Sequence, residues 1–202
     1  MTTHNFSIKE VLAFGWGKTK ANYWFILQVG IISSLVYGAS RYLGPVSVIV
    51  AMCIGVSLTT VALMLEAGQT PKLEDLFKKY DNHKVLLNYL FVTVLLWLII
   101  GVGFVFLFIP GIFLAVKLQF AKTLVIDQDM KALDAIKKSW SMTEGNFWNL
   151  LGYVLVVVLI NFAGALLLGI GLLITVPTTM LASIHLYKKF IAHHSTHHTH
   201  SA

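Results

Sequence analysis

Charge is scarce in this chain: Asp, Glu, Lys and Arg make up 12% of its 202 residues, about half the roughly 25% of a soluble domain. What charge there is falls in short segments between long apolar runs, and 57% of the residues are hydrophobic. That is the profile of a polytopic membrane protein. Cysteine is nearly absent too. Cys53 stands alone inside an apolar run, which excludes an intrachain disulfide and reads as a packing residue rather than a reactive thiol. No glycine-rich phosphate loop, nucleophile elbow, zinc-protease helix or Ser/His/Asp arrangement is present in the connections. The expectation is therefore no enzyme and no cofactor. The formal net charge of +6 does not point to nucleic acid, because the lysines form no dense basic face and belong to no reading module. They sit beside apolar segments, where topology and anionic lipid head groups explain them. The first twenty residues are mixed polar and charged, which predicts no cleavable signal peptide.

Six apolar runs are long enough to span: about Tyr23–Tyr42, Pro45–Leu65, Val85–Phe108, Pro110–Ile126, Phe147–Leu168 and Leu172–Ile191. The fold class expected is all-α, with six transmembrane helices and three interfacial amphipathic helices. Counting cations by side gives an almost complete bias. The N-terminus, the Glu66–Lys84 and Asp127–Gly145 connections and the tail share the lysines, while the other side has Arg41 alone. Cations are retained in the cytoplasm, so both termini are expected to face inward, in a bacterial inner membrane.

The chain repeats itself. "GWGKTKANYWFIL" from Gly15 and "SWSMTEGNFWNLL" from Ser139 share Trp16/Trp140, Thr19/Thr143, Asn22/Asn146, Trp24/Trp148 and Leu27/Leu151. Ahead of each copy, Ile8, Val11, Leu12 and Trp16, or Leu133, Ile136 and Trp140, fall near one helical face. A degenerate third copy follows Pro71, with Glu74/Leu76/Tyr80 matching Glu10/Leu12/Trp16 and Asp134/Ile136/Trp140. Pro45, Pro110 and Pro177 each fall near the start of a second span; Pro177 either opens that span or lies within one begun at Leu172. The repeat-like units run over about 6–66, 71–128 and 130–191, within a single membrane domain over 1–192. A His-rich flexible tail over 193–202 follows. Each unit returns to its starting side, so the copies are parallel.

Trp16, Asn22, Trp24, Trp140, Asn146 and Trp148 are expected to build structural corners at the interface. There the asparagines cap the new helix and the rings anchor it at head-group depth.

The stretch "IPGIFLAVKLQFAKTLVIDQDMKALDAIKKSWSMTEGNFWNLL" resembles the integral membrane domain found with some bacterial glycerophosphodiester phosphodiesterases, and that domain's stand-alone relatives. The matching residues are Ile109-Pro110-Gly111, Lys117, Asp127, Ala135-Ile136-Lys137-Lys138-Ser139-Trp140, Thr143 and Gly145-Asn146-Phe147-Trp148. The resemblance implies an inner-membrane helical domain. It does not imply the phosphodiesterase reaction, which belongs to a soluble barrel that no segment outside the spans is long enough to build.

Lys117 is the residue that asks for an explanation. It lies about seven residues into its span, where a lysine costs on the order of 2.5–3.5 kcal/mol. Asn161, Ser33, Ser34, a carbonyl freed near Pro110, water or a bound anion would each compensate it. Both snorkelling or structural pairing and a ligand or permeation site fit. Gln28, Asn161 and His185 complete the set of candidate intramembrane polar residues and suit interhelical hydrogen bonds. Lys122 lies close enough to the inner face to snorkel, and Glu66 and Asp127 end their spans where water is expected to solvate them. In the tail, His193, His194, His197, His198 and His200 are weak metal ligands without fixed geometry.

The function expected is a membrane scaffold or regulatory component that contacts lipids, anionic head groups included, and protein partners or further copies of itself. A small transporter or channel with a polar cavity around Lys117 is the alternative.

Overall fold

The computed structural model describes the backbone of residues 6–80, 82–106, 108–166 and 171–198, and their side chains except at 43, 106, 108 and 193–198. Helices account for all regular structure among the described residues. They are α1 (Ile8–Ala21), α2 (Tyr23–Ser40), α3 (Val46–Glu66), α4 (His83–Phe106), α5 (Phe108–Lys117), α6 (Ala121–Gln128), α7 (Ala132–Met142), α8 (Phe147–Leu166) and α9 (Leu172–His198). Short 3-10 turns occupy Arg41–Leu43 and Leu73–Phe77.

Five segments are long and apolar enough to cross a membrane: Tyr23–Ser40, Val46–Glu66, His83–Val105, Ile109–Gln128 and Phe147–Leu166. The protein is a membrane protein by this measure. The sixth apolar run is helical as well, within α9, but it is not one of the five. Thr175, Pro177, Thr178, Thr179, Ser183, His185, Lys188 and Lys189 dilute its apolar character. The prolines fall near helix starts as the spacing suggested. Pro45 immediately precedes α3 and Pro110 lies in the first turn of α5, whereas Pro177 lies inside α9, which begins at Leu172.

The middle amphipathic segment is not an α-helix but the five-residue 3-10 turn Leu73–Phe77. Side chains hold it tight. The Asp75 carboxylate accepts from the Lys72 backbone N–H at 2.8 Å. Ser57 Oγ donates to the Leu76 carbonyl at 2.7 Å, and the Tyr80 hydroxyl donates to the Cys53 carbonyl at 2.8 Å. The last two bonds tie the segment onto α3, and the first closes the turn on itself.

The helices form two compact units, one of residues 8–81 with 156–185, the other of residues 1–7 with 82–155 and 186–202. The first has a core of Ile26, Val61, Ala62, Leu65, Leu181 and Ile184. Within it α1 packs on α9: a Cβ at Gly15 would collide with the Thr178 carbonyl and lie 2.9 Å from Ala182. Phe14 meets His185 and Thr19 meets Thr178, so the two helices run in opposite directions there. In the second unit α6 is sealed inside by Leu124, Val125 and Ile126, and α4 crosses α5 where a Cβ on Gly103 would come within 3.0 Å of Gly111.

The repeat has a structural counterpart. Val11, Gly15 and Thr19 are buried in α1; Ala135, Ser139 and Thr143, at matching places in the second copy, are buried too. Each threonine hydroxyl donates to the carbonyl four residues back, at 2.9 Å in both copies. The smaller side chains therefore face protein, while Trp16, Leu133 and Trp140 remain exposed. Small residues let helix backbones approach closely, and the large apolar groups are left on the outside.

Candidate functional site

Lys117 ends α5, and the span is broken directly after it. In an unbroken helix the Lys117 carbonyl would accept from the Ala121 N–H. Instead Ala121 N–H donates to Leu118 at 3.1 Å, and the Lys117 carbonyl accepts from Ser139 Oγ at 2.9 Å and Thr143 Oγ1 at 3.2 Å. No proline or glycine stands between Lys117 and Ala121. Two hydroxyls from the α7 segment intercept the ladder, a known cause of helix breaks.

The Lys117 side chain is only 7% exposed. Its ammonium lies 5.8 Å from the centre of the Phe113 ring and 5.4 Å from that of Trp140, inside the range in which ring quadrupoles attract a cation. Phe113 in turn meets the edge of Trp140 at 5.7 Å and Phe147 at 4.9 Å. Among the described residues no carboxylate pairs with Lys117. Among the described residues the ammonium is met by aromatic faces, one of them on a corner residue, and not by Asn161, which bonds elsewhere.

The other candidates lie in separate surroundings. Asn161 donates to the Val157 carbonyl at 3.0 Å and to Thr179 Oγ1 at 3.1 Å, the interhelical bond its type suggested. Gln28 is exposed on α2 and makes no hydrogen bond among the described residues, so the interhelical bond is not seen for it. His185 bonds Glu66 at 3.3 Å through Nδ1 and stacks on Phe14 with ring centres 3.8 Å apart. None of these bonds joins one candidate to another.

Glu66 and Asp127 are not left to water. Glu66 pairs with His185, and Asp127 accepts from the Tyr187 hydroxyl at 2.8 Å and from Lys188 Nζ at 2.9 and 3.0 Å. Both carboxylates close a helix end against α9, a role that chain separations of 119 and 61 residues conceal from a linear reading.

The corner asparagines also act differently from the expectation. Asn22 makes no side-chain cap to α2; its Nδ2 donates back to the Lys18 carbonyl at 3.1 Å. The backbone ladder runs through the corner, from Asn22 N–H to Lys18 and from Ile26 N–H to Asn22, so those groups are already satisfied. Asn146 donates to the Glu144 carbonyl at 3.4 Å, and its Oδ1 is buried without a partner. Trp24 and Trp148, at 74% and 79% exposure, stand out from the surface as anchoring rings do. Among the described residues no cluster of three or more metal-binding side chains exists. The side chains of His193, His194, His197 and His198, and all of His200, lie outside the described residues.

Against known proteins, no curated protein and no solved structure matches the chain. A family model described as Domain of unknown function (DUF7847) matches residues 18–196. With nearly all of its helical part matched, the chain belongs to the DUF7847 family.

Proposed function

We propose that this chain is a six-span protein of the bacterial inner membrane, with both termini in the cytoplasm, that works as a lipid- and protein-contacting scaffold without catalysis of its own. The observation that carries this reading is the one-sided placement of cations around the five apolar helices. α9 would supply the sixth span, and α1 and α7, with Trp16, Leu133 and Trp140 exposed, would rest at the inner interface. The imidazole of His185 and the carboxylates of Glu66 and Asp127 are engaged in helix-to-helix bonds, which suits structural roles. The likeness to the membrane domain of glycerophosphodiester phosphodiesterases fits the same reading and brings a membrane domain without that reaction.

Impermeant thiol labelling of intact cells tests the orientation, in a chain with Cys53 replaced and single cysteines introduced. Tyr42→Cys, in the connection beside Arg41, is expected to react from outside. Lys78→Cys and Lys137→Cys are expected to react only after permeabilisation, and the opposite pattern removes the reading.

A second reading has one observation in its favour. Breaks in spanning helices are tolerated where the backbone is buried in protein or lines a cavity, and this break follows a buried lysine that pairs with no carboxylate among the described residues. A transporter of anionic solutes would use Lys117 as its counter-charge. Flux of phosphorylated compounds into proteoliposomes, lost in Lys117→Ala, would favour it over the scaffold.

A further inference from the structure

A cavity of about 320 Å³ lies within the first unit between α2, α3 and α9, inside the size range of small-molecule pockets. Its walls are apolar apart from three groups gathered at one end. Two are the hydroxyls of Ser33 and Ser34, which make no hydrogen bond among the described residues. Elsewhere in this unit Thr19, Thr60, Thr178, Thr179 and Ser183 each donate to the carbonyl four residues back. The third group is the Leu173 carbonyl. Pro177 has no N–H to give it, and the Thr178 and Thr179 hydroxyls go to Ile174 and Thr175. Leu173 and Pro177 stand one turn apart and both line the cavity, so this carbonyl lies along its wall.

The polar end sits at the middle of the bilayer. Ser33 lies ten residues from the start of α2 at Tyr23, about 15 Å along the helix, which is half of a hydrocarbon core. From there the cavity runs back to Phe25 and Leu65, close to Tyr23 and to the end of α3 at Glu66. A Cβ at Gly30 would lie 3.7 Å from Leu173 Cδ2, and Ser33 and Ser34 follow Gly30 by one turn, so α9 brings its carbonyl to the same level. Ser34 is exposed and Ser33 half-buried, which leaves this end open to lipid. No water is present at that depth to satisfy a hydroxyl or a carbonyl.

The depth and the donor set restrict the occupant. A phosphate or carboxylate head group would stand in the hydrocarbon centre without a counter-charge among the lining residues, so the ligand is neutral. A carbonyl only accepts, so the ligand must donate, whereas serine hydroxyls do either. We infer that this cavity binds a neutral, membrane-dissolved alcohol. Its hydroxyl donates to the Leu173 carbonyl and accepts from Ser33 or Ser34, and its apolar chain lies between the three helices toward Phe25 and Leu65. The inference goes beyond the scaffold reading and holds whichever face of the membrane is cytoplasmic.

The test uses the full chain in phosphatidylcholine vesicles and decanol carrying a photoreactive diazirine in its chain, with the cross-linked residues mapped by mass spectrometry. Labelling is expected on lining residues such as Val29 and Met180. Excess decanol should abolish it, whereas its methyl ether, which cannot donate, and decane should not. Ser33→Ala with Ser34→Ala should weaken binding about fivefold, the value of one neutral hydrogen bond. Pro177→Ala returns an N–H to the Leu173 carbonyl and should weaken binding by about the same factor while the melting temperature holds or rises. Loss of binding is thereby separated from loss of fold. Competition by the ether or by decane as effective as that by decanol overturns the inference, in favour of an apolar surface without a hydroxyl site. Unchanged labelling in either variant overturns it as well. So does labelling centred on exposed residues such as Leu35 and Ile49, which marks the reagent as bulk lipid solute.

Discussion

The ammonium of Lys117 lies 5.4 Å from the ring centre of Trp140, a residue from the second copy of a repeated motif, and only 7% of this lysine is exposed. An aromatic face thus stands where a buried cation would ordinarily meet a carboxylate. Phe113 completes the contact from the lysine's own helix, one turn back.

The pair should couple energetically. Trp140→Leu removes one of the two faces and should destabilise the protein in detergent by about 2 kcal/mol. In a double-mutant cycle with Lys117→Met, about 1–2 kcal/mol of that loss should disappear, because no cation remains to be stranded. Urea or thermal unfolding of the four proteins supplies the check. Additive losses would show that the ring packs without sensing the charge.

Ser139 and Thr143 hold the break after Lys117. Removing both hydroxyls, as Ser139→Ala with Thr143→Val, leaves the Lys117 carbonyl without its two donors and should cost about 1–3 kcal/mol. Hydrogen exchange at Ala121 gives the local readout: its amide should change protection if the ladder repairs itself from Ala121 to Lys117. Unchanged stability and exchange would mean that the break has another origin.

Two glycines of α1, only two residues apart, should respond in opposite directions. At Gly15 a Cβ collides with the Thr178 carbonyl, so Gly15→Val should destabilise by about 1–3 kcal/mol or more. At Gly17 a Cβ meets nothing within 4 Å, and Gly17→Ala should stabilise by up to about 1 kcal/mol through helix propensity. Melting temperatures of the two variants suffice.

The exposed turn at Leu73–Phe77 should loosen in acid. The hydrogen bond from the Lys72 amide holds the Asp75 carboxyl below its ordinary value, with Lys78 3.4 Å away assisting. A depressed carboxyl contributes stability that is present above the unfolded value and lost as pH falls through the folded one. Protection of the Lys72 amide should therefore persist through neutral pH and vanish below the ordinary carboxyl range. Asp75→Asn should flatten that acid limb.

Much of the fold was readable along the chain because membrane insertion is governed by local composition. Long apolar runs, proline near helix starts and cations gathered on one set of connections are properties of adjacent residues. So is the repeat, whose aligned positions 11/15/19 and 135/139/143, with the threonine shared, became matched buried faces. The middle copy misled because Glu74, Leu76 and Tyr80 satisfy a helical pattern, while Ser57 and Cys53, far earlier in the chain, decide what the segment does.

By itself the sequence determined that this is a helical membrane protein with a doubled motif, and it singled out Lys117 as a charge in need of compensation. Only tertiary structure decided who provides it. The rings of Phe113 and Trp140 do so, Ser139 and Thr143 break the helix beside them, and α9 takes up the carboxylates of Glu66 and Asp127. The physical reason is one of range. Apolarity acts residue by residue against lipid, whereas a hydrogen bond or a cation over a ring exists only when distant parts of the chain arrive within a few ångströms, and no linear spacing encodes that meeting.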